Sequence, residues 1–304
     1  MRVFVTGVTG LIGRRLAERL VAHGDDVTGL TRSADRARPL VPASVRILEG
    51  DPTQPGAWQD SLAACEAVVH LAGEPVMGRR WSAERKALLT RSRVDGTRNV
   101  AEACSRGGAQ VRVLVAGSAI GYYGATGERE VDEHAPAGSD FLAELCVAWE
   151  REAGYAASEQ RRVVQLRIGV VLDPAGGALQ RMLTPFKAFA GGPIGSGNQF
   201  LSWIHRDDLG GLLRLALDDA RASGPINATA PTPATMRELS KAVGRALHRP
   251  SWLPVPTFAA RLVFGESASM FLDSQKVLPK RAGELGYRFR FPKLDDALAD
   301  LLKI

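Results

Sequence analysis

Three glycines near the start of the chain, Gly7, Gly10 and Gly13, have the spacing of a site that binds phosphate groups. They follow a short apolar, β-branched stretch and precede apolar residues at helical spacing, which predicts a strand, a glycine-rich turn and a helix. Glycine permits the tight turn, the approach of a pyrophosphate to the backbone and close packing of the helix on the strand. The helix N-terminus then offers free N–H groups to the phosphates. The contacts that we assign to this turn are Gly7, Thr9, Gly10, Leu11, Ile12 and Gly13.

The residues at the end of the second apolar stretch predict which dinucleotide binds. Thr31, Arg32 and Ser33 stand where a site specific for NAD usually has Asp or Glu, which holds the ribose hydroxyls. A guanidinium together with hydroxyls suits a 2′-phosphate, so NADP(H) is favoured over NAD(H). The alternative is an ordinary surface arginine that follows a strand.

Further cofactor contacts are expected after later strands, because ligands of a parallel sheet lie beyond the carboxyl ends of its strands. Asp51 would lie near the adenine, or it simply begins a turn. Gly73 would let the backbone approach the cofactor. The remaining contacts that we assign are Leu71, Ala72, Gly73, Glu74 and Arg167.

Two polar residues after the fifth apolar stretch, Ser118 and Tyr122, are the catalytic candidates. They would face the nicotinamide end of the cleft, where Ser118 could hydrogen-bond a substrate oxygen and Tyr122, or its neighbour Tyr123, could supply a phenol. Tyr122 has the alternative of a packed aromatic whose hydroxyl meets the backbone. Glu74 and Glu144 are other acid–base candidates, and Glu74 has the alternative of an ion pair with Arg80.

Strand and helix patterns alternate, which predicts an α/β fold with a Rossmann-like, doubly wound parallel sheet and a smaller C-terminal α/β substrate lobe. The predicted strands are Arg2 to Thr6, Val27 to Thr31, Val45 to Leu48, Ala67 to Leu71, Arg112 to Ala116, Val163 to Ile168 and Pro225 to Ala228. The predicted helices are Trp58 to Ala64, Ala83 to Gly107, Phe141 to Ser158, Leu179 to Ala190, Thr235 to Leu247, Phe258 to Phe264 and Leu294 to Leu302.

The chain divides into two predicted lobes. Residues 1–171 form the NADP-binding domain, with 200–230 returning to it, and residues 172–199 and 231–304 form the smaller substrate lobe. The glycine-rich loop at 191–197 is interpreted as one wall of the substrate pocket, with a mobile surface hairpin as the alternative. The residues that we assign to the substrate are Trp81, Tyr123, Gly192 and Trp203.

The composition excludes several classes of protein. The 304 residues contain no apolar run long enough to span a membrane, and the first strand leaves no room for a signal peptide, so we expect a cytoplasmic protein without a membrane partner. Three scattered cysteines argue against a disulfide framework or a metal site. The net charge of +6 comes from dispersed basic residues that are not interleaved with aromatics. We therefore expect a small-molecule substrate and no nucleic acid.

The motifs resemble those of the extended short-chain dehydrogenase/reductase superfamily, the NAD(P)-dependent epimerases and dehydratases. The matching motifs are TGxxGxxG at 6–13, LAG at 71–73, Ser-x-x-x-Tyr at 118–122 and IHxxDL at 204–209. The chain is more closely similar to an epimerase-like subfamily at 72–75, 80–81, 117–118, 121–124, 191–197 and 279–281, and residues 255–302 resemble its C-terminal domain of unknown function. The resemblance implies a structural role for His205 near a helix start, which Asp207 or Asp208 would cap.

The chain departs from this superfamily at its usual Tyr-x-x-x-Lys pair. If Glu150 is the glutamate that normally follows the pair by four residues, Leu142 and Cys146 occupy the tyrosine and lysine positions. The lysine ammonium normally lowers the tyrosine pKa so that the phenol can exchange a proton while hydride moves. Leucine and cysteine cannot exchange a proton in this way. Cys146 itself is either a reactive thiol or a buried structural cysteine.

Two functions follow from these observations. The first is an NADP(H)-dependent oxidoreductase or epimerase-like enzyme acting on a small carbonyl or hydroxyl compound or a nucleotide-linked sugar. The second is a non-catalytic NADP(H)-binding redox sensor or regulator, which the missing pair favours. Many superfamily members pair through helices like those predicted at 83–107 and 141–158, so the resemblance allows a homodimer.

Overall fold

A parallel sheet of seven strands forms the centre of the computed structural model, which describes residues 1–302. The strands are β1 Arg2–Thr6, β2 Asp26–Thr31, β3 Arg46–Glu49, β4 Ala67–His70, β5 Val113–Ala119, β6 Arg162–Ile168 and β7 Gly224–Ala228. Their order across the sheet is β7-β6-β5-β4-β1-β2-β3, and every neighbouring pair is parallel. The Rossmann-like doubly wound sheet is confirmed.

Helices cover both faces of this sheet. They are α1 Leu11–Ala22, α2 Ala34–Ala37, α3 Trp58–Ala63, α4 Ala83–Arg106, α5 Phe141–Gly154, α6 Gly177–Lys187, α7 Arg206–Asp218, α8 Met236–Leu247, α9 Thr257–Phe264, α10 Ser269–Leu272, α11 Lys280–Glu284 and α12 Leu294–Leu302. Short 3₁₀ helices lie at Arg38–Leu40, Gly108–Gln110, Ile120–Tyr123 and Gly265–Ala268. Within residues 1–302, no helix is both long enough and apolar enough to cross a membrane.

Alternation along β1 shows how the two faces are filled. Val3 and Val5 pack with the leucines of α1 and α7, whereas Phe4 packs with Trp58 and Leu62 of α3 and with parts of α4 and α5. Since both faces are buried, each residue of the strand must be apolar or must have a hydrogen-bonding partner. This is why the strands read as nearly continuous apolar runs.

The second lobe has a core of its own between α6, α8 and α12, around the buried side chains of Phe186 and Leu239. Trp203, from the segment 200–230 that was predicted to return to the first lobe, packs in this core. Three short strand pairs join it to the first lobe or stiffen it. They are Val170–Leu172 with Trp203–His205, Phe200–Leu201 with Ala234–Thr235, and Glu130–Val131 with Lys276–Val277. Strands of two or three residues are too short to show a periodicity, so the sequence did not predict them.

Several element boundaries differ from those predicted. β5 continues to Ala119 rather than ending at Ala116, because Gly117, Ser118 and Ala119 remain paired with β6. Ser118 therefore lies within the strand and not in the turn after it. The helix α5 ends at Gly154, four residues earlier than predicted.

The prediction that Asp207 or Asp208 caps the helix α7 is wrong. The cap is His205, whose Nδ1 accepts a hydrogen bond of 3.0 Å from the Asp207 backbone N–H. Asp208 is buried, and its carboxylate accepts from the Phe291 backbone N–H at 2.9 Å and from the Tyr287 hydroxyl at 3.1 Å. His205 thus has the structural role expected of it, and Asp208 ties the C-terminal segment to α7.

Candidate functional site

The turn between β1 and α1 depends on glycine at two positions. Gly7 has a φ of +70°, and a Cβ atom there would lie 2.8 Å from the backbone nitrogen of Ala72. A Cβ atom on Gly13 would overlap the carbonyl oxygen of Gly7 and lie 2.9 Å from the Cα of Val8. The turn, the start of α1 and the segment after β4 therefore pack backbone against backbone.

The N-terminus of α1 is open to a ligand. Its N-cap is Gly10, no side chain caps it, and its first turn contains no acidic residue. The backbone N–H of Arg14 bonds to the carbonyl of Gly10, which leaves the N–H groups before it without helical acceptors. Free N–H donors and the positive end of the helix dipole fit the pyrophosphate of a dinucleotide.

A buried chain of hydrogen bonds holds the segment after β4 against this turn. The Thr6 hydroxyl accepts from the backbone N–H groups of Leu71 and Ala72, both at 3.2 Å. It lies 2.7 Å from Nδ1 of His70, whose Nε2 lies 3.0 Å from the Thr97 hydroxyl of α4. Because the Thr6 hydroxyl already accepts two hydrogen bonds, we infer that it donates its own proton to Nδ1 of His70. The imidazole proton is then on Nε2, which donates to the Thr97 hydroxyl. Sequence reasoning missed this chain, although a histidine within a buried strand pointed to it.

Burial lowers the pKa of His70 to about 4, so the imidazole is neutral in the folded protein. The unfolded chain binds this proton more readily, so the free energy of unfolding falls as pH drops from about 6.5 to about 4, by roughly 3 kcal/mol in all. We expect His70→Gln to remove this contribution. The free energy of unfolding, measured by urea denaturation, should then fall between pH 7 and pH 5 by about 2 kcal/mol less in the variant than in the wild type. Equal decreases in the two proteins would contradict the assignment.

Arg32 lies beyond the end of β2 with 70% of its side chain exposed, and its Nη1 is 3.7 Å from the Glu74 carboxylate. Glu74 also accepts a hydrogen bond of 3.1 Å from Arg85. The ion-pair partners of Glu74 are therefore Arg32 and Arg85, whereas Arg80 bonds to the carbonyl of Leu262. Next to Arg32, the Ser33 N–H contacts the Thr31 hydroxyl at 3.4 Å. Thr31, Arg32 and Ser33 thus lie at the carboxyl end of β2, and a contact of their side chains with a 2′-phosphate stays a prediction.

Asp51 begins a turn after β3. Its Oδ1 accepts from the backbone N–H of Thr53 at 2.9 Å and from the Thr53 hydroxyl at 2.8 Å. The alternative reading of Asp51 as a turn former therefore holds in the structure. A contact of its second oxygen with adenine stays a prediction.

Ser118 is only 3% exposed, and its hydroxyl donates a hydrogen bond of 2.6 Å to Oε1 of Glu150 on α5. Glu150 in turn accepts two hydrogen bonds of 2.8 Å from Nε and Nη2 of Arg167. The structure thus turns the Ser118 hydroxyl toward a buried ion pair rather than toward the open edge of the sheet. Its role in catalysis stays a prediction that this geometry does not favour.

The same ion pair extends to two residues assigned to ligands. Nη1 of Arg167 donates to the Tyr123 hydroxyl at 2.9 Å, which donates to Oδ1 of Asn227 in β7 at 2.7 Å. Burial raises the pKa of Tyr123 to about 12. Arg167 and Tyr123 therefore act within the protein in this structure, and contacts of either with a ligand stay predictions.

Tyr122 is a partly exposed member of this cluster. The guanidinium of Arg167 lies 3.4 Å from the centre of its ring, and the ring packs edge-on against Tyr123 at 5.3 Å. Within residues 1–302, its hydroxyl forms no hydrogen bond. Of the two catalytic candidates, Tyr122 is therefore the one with a hydroxyl available to a ligand.

Leu142 and Cys146 occupy the place of the missing Tyr–Lys pair. They lie one helical turn apart and face the turn after β5, since a Cβ atom on Gly121 would lie 3.3 Å from Cβ of Leu142 and 3.9 Å from Sγ of Cys146. Burial raises the pKa of Cys146 to about 12, so its thiol is protonated and the interpretation as a structural cysteine holds. Glu150, one turn further on, accepts hydrogen bonds from Ser118 and Arg167.

The residues assigned to the substrate do not meet in one place. Trp81 is mostly buried. Its indole N–H donates to the backbone carbonyl of Val76 at 3.0 Å, and its ring packs edge-on against Phe141. Trp203 is fully buried in the core of the second lobe and donates to Thr232 at 3.0 Å. The structure therefore gives Trp203 a packing role rather than a place on a pocket wall.

The loop at 191–197 is tied down by backbone bonds. Val255 donates to Pro193 at 2.8 Å, and Gly195 donates to Val255 at 2.8 Å. A Cβ atom on Gly192 would overlap the carbonyl oxygen of Leu253, so glycine is required there for packing. The loop is thus a packed part of the second lobe, and a substrate contact of Gly192 stays a prediction.

Two family models match the chain. The NAD dependent epimerase/dehydratase family matches residues 3–228, and a domain of unknown function, DUF1731, matches residues 255–301. The first match covers the whole central sheet, and the second covers α9 to the end of the second lobe. The resemblance inferred from the motifs is confirmed on both counts.

Relatives and solved structures agree with these models. The chain is 44% identical over 307 residues to the chloroplastic epimerase family protein SDR39U1 homolog of Arabidopsis thaliana, covering 100% of this chain and 87% of the relative. It is 35% identical to the epimerase family protein YfhF of Bacillus subtilis, covering 99% and 98%.

Among solved structures, the human epimerase family protein SDR39U1 (isoform 2) with NADPH is 36% identical, with a TM-score of 0.88 over 100% of this chain and 99% of that one. A nucleoside-diphosphate sugar epimerase from Corynebacterium glutamicum is 31% identical, with a TM-score of 0.80 over 99% of this chain and 58% of that one. The chain therefore belongs to the NAD dependent epimerase/dehydratase family.

Proposed function

We propose that the protein binds NADP(H) along the carboxyl edge of its sheet. The observation that carries this proposal is the uncapped N-terminus of α1 behind a turn in which glycine is sterically required at Gly7 and Gly13. The exposed Arg32 on the same edge supports NADP(H) over NAD(H). The NADPH in the structure of the similar human protein supports the same cofactor.

The preference for NADP(H) can be tested at Arg32. A hydrogen bond to a charged group contributes about 1.5–3 kcal/mol, so we expect Arg32→Ala to weaken NADPH binding by about 10- to 100-fold and to leave NADH binding unchanged. Fluorescence titration of the two reduced dinucleotides measures both affinities. Arg46→Ala is the matched control, because Arg46 is an exposed arginine at the amino end of β3, on the opposite edge of the sheet. An unchanged ratio of the two affinities in Arg32→Ala would disprove the assignment.

We further propose that the protein is an NADP(H)-dependent oxidoreductase acting on a small carbonyl or hydroxyl compound. NADP(H) supplies hydride transfer at its nicotinamide when bound. Of the chain's own groups, Tyr122 has a hydroxyl that forms no hydrogen bond within residues 1–302, and Arg167, which is bonded to Glu150, packs on its ring. An epimerase-like reaction on a nucleotide-linked sugar has the support of the Corynebacterium relative, but it needs proton transfers that the missing Tyr–Lys pair normally performs.

A non-catalytic NADP(H)-binding regulator is the second candidate, and the side chains of Leu142 and Cys146 favour it. The two candidates differ in whether bound NADPH is consumed. The test mixes the protein with NADPH and a panel of aldehydes, ketones and quinones and follows the absorbance of the reduced nicotinamide. Multiple turnovers with any one compound support the oxidoreductase. Tight NADPH binding without oxidation by any of them supports the regulator.

A further inference from the structure

We propose that the substrate is an apolar quinone, bound against Leu142 at the nicotinamide end of the cleft. This inference rests on the proposed NADP(H) chemistry and names the class of compound that receives the hydride. It is carried by three features of the site: an apolar surface, bordering basic side chains that are largely engaged by the protein, and Leu142 and Cys146 at the positions of the usual Tyr–Lys pair.

The apolar surface surrounds the position where the superfamily has its catalytic tyrosine. Leu142 belongs to a cluster of apolar side chains contributed by the segment after β4, by α4, by the first turns of α5 and by α10. The partly exposed members of this cluster are Val76, Val94, Phe141, Leu142 and Met270. Because partly exposed apolar side chains gain free energy when a ligand covers them, this surface selects an apolar ring rather than a sugar.

The basic side chains that border this surface are largely engaged by the protein. Arg85 bonds to Glu74, Lys86 lies 2.5 Å from Glu266, and Arg93 donates to the carbonyl of Glu74 at 3.0 Å. The diphosphate of a nucleotide-linked sugar needs free guanidinium or ammonium groups. A neutral ligand needs none, so the charge distribution also favours a quinone.

The replacement of the usual Tyr–Lys pair by Leu142 and Cys146 limits the hydride acceptors that can react. Hydride addition to a simple ketone leaves an alkoxide, which is about as basic as hydroxide, whereas addition to a quinone leaves a phenolate. A phenol has a pKa of about 10, against about 15.7 for water, so the phenolate forms without an acid beside it.

The atoms and electrons balance without any further reactant. The quinone receives two electrons and one hydrogen as hydride from NADPH, which becomes NADP⁺. The resulting hydroquinone anion then takes one proton from water. No covalent bond to the protein forms, and Leu142 and its neighbours contribute only the apolar surface that holds the ring.

Binding is the first readout, because it does not depend on turnover. The probe is 2-methyl-1,4-naphthoquinone, titrated into the full chain with and without NADP⁺ while tryptophan fluorescence is followed. Trp81 lies in the apolar cluster, so we expect quenching that Trp81→Phe reduces. Leu142→Asn places an amide in the surface, and we expect it to weaken quinone binding at least 10-fold while NADPH binding stays within twofold.

Val147→Asn is the matched control, because Val147 is an exposed apolar residue of the same helix. We expect quinone binding and quinone-dependent NADPH oxidation to stay at wild-type levels in this variant, relative to a blank without protein. The proposal is overturned if the protein binds NADPH but not the quinone, or if Leu142→Asn and Val147→Asn behave alike. If the wild-type protein does not bind NADPH, the proposed function is overturned instead. The quinone titration without nucleotide distinguishes the two failures, because it measures quinone binding independently of the cofactor.

Discussion

Replacement of Gly13 by alanine is expected to weaken NADPH binding by at least 100-fold. The added Cβ would overlap the carbonyl oxygen of Gly7 and lie 2.9 Å from both the Gly7 carbonyl carbon and the Val8 Cα. All of these are backbone atoms, so no side chain can rotate away to make room. The helix α1 must move off β1, which carries its free N–H groups away from the pyrophosphate.

The change also costs stability, because overpacking of a close backbone contact typically destabilises a protein by about 1–3 kcal/mol. NADPH titration and urea unfolding of the same preparation separate the two effects. Gly154→Ala is the matched control, since Gly154 lies at the end of α5 and a Cβ atom there meets no atom within 4 Å. The same affinity for NADPH in Gly13→Ala and Gly154→Ala would refute a cofactor role for this turn.

Arg167→Met is expected to lower the free energy of unfolding by about 3–5 kcal/mol. Arg167 is 4% exposed, and its guanidinium forms two hydrogen bonds with Glu150 and one with Tyr123. Methionine keeps much of the apolar volume but leaves the Glu150 carboxylate without its cation and the Tyr123 hydroxyl without a donor. An uncompensated charge with little access to water is what makes the loss large.

The matched control for this prediction is Arg245→Met on the surface of the second lobe. Arg245 pairs with Asp295 at 2.5 Å, but the two side chains are 61% and 67% exposed. Water replaces a pair of this kind, so the loss should stay below about 1 kcal/mol. Chemical denaturation of the two variants in one buffer gives the comparison. Losses of similar size would show that the Glu150–Arg167 pair does not behave as a buried one.

The sequence predicted the parts of the fold that depend on near neighbours. β1, its glycine turn and α1 lie within the first 22 residues, and each of them has a local signal in apolar spacing or in glycine. The Arg32 position followed from the same reasoning, because it comes directly after a strand. The departure at Leu142 and Cys146 was also visible, since helical spacing fixes which residues share a face.

The polar cluster around Arg167 could not be predicted in the same way. Tyr123 and Asn227 lie 104 residues apart in the chain and 2.7 Å apart in the structure, and nothing in either neighbourhood indicates the contact. Ser118 looked catalytic because it closely follows an apolar run. The extension of β5 by three residues, stabilised by its pairing with β6, turned its hydroxyl toward Glu150 instead.

The C-terminal segment completes structures that begin much earlier in the chain. Val277 pairs in register with Val131, the backbone of Ser274 accepts from the Thr126 N–H at 2.8 Å, and Phe291 donates to Asp208. Residues 255–301 match a family model of their own, yet they form hydrogen bonds with Thr126 and Asp208 of the first lobe and with Gln199 of the second. Part of the backbone of this segment therefore finds its hydrogen-bonding partners outside the segment.

This connectivity affects folding during synthesis on the ribosome. From Val131 to Val277 the ribosome adds 146 residues, the difference between the two positions, which takes roughly 7 to 30 s at about 5–20 residues per second. For that time the Glu130–Val131 strand lacks the partner that it has in the folded protein. The native pairing of this strand therefore forms only after nearly the whole chain has been made, and contacts of such long sequence separation slow folding.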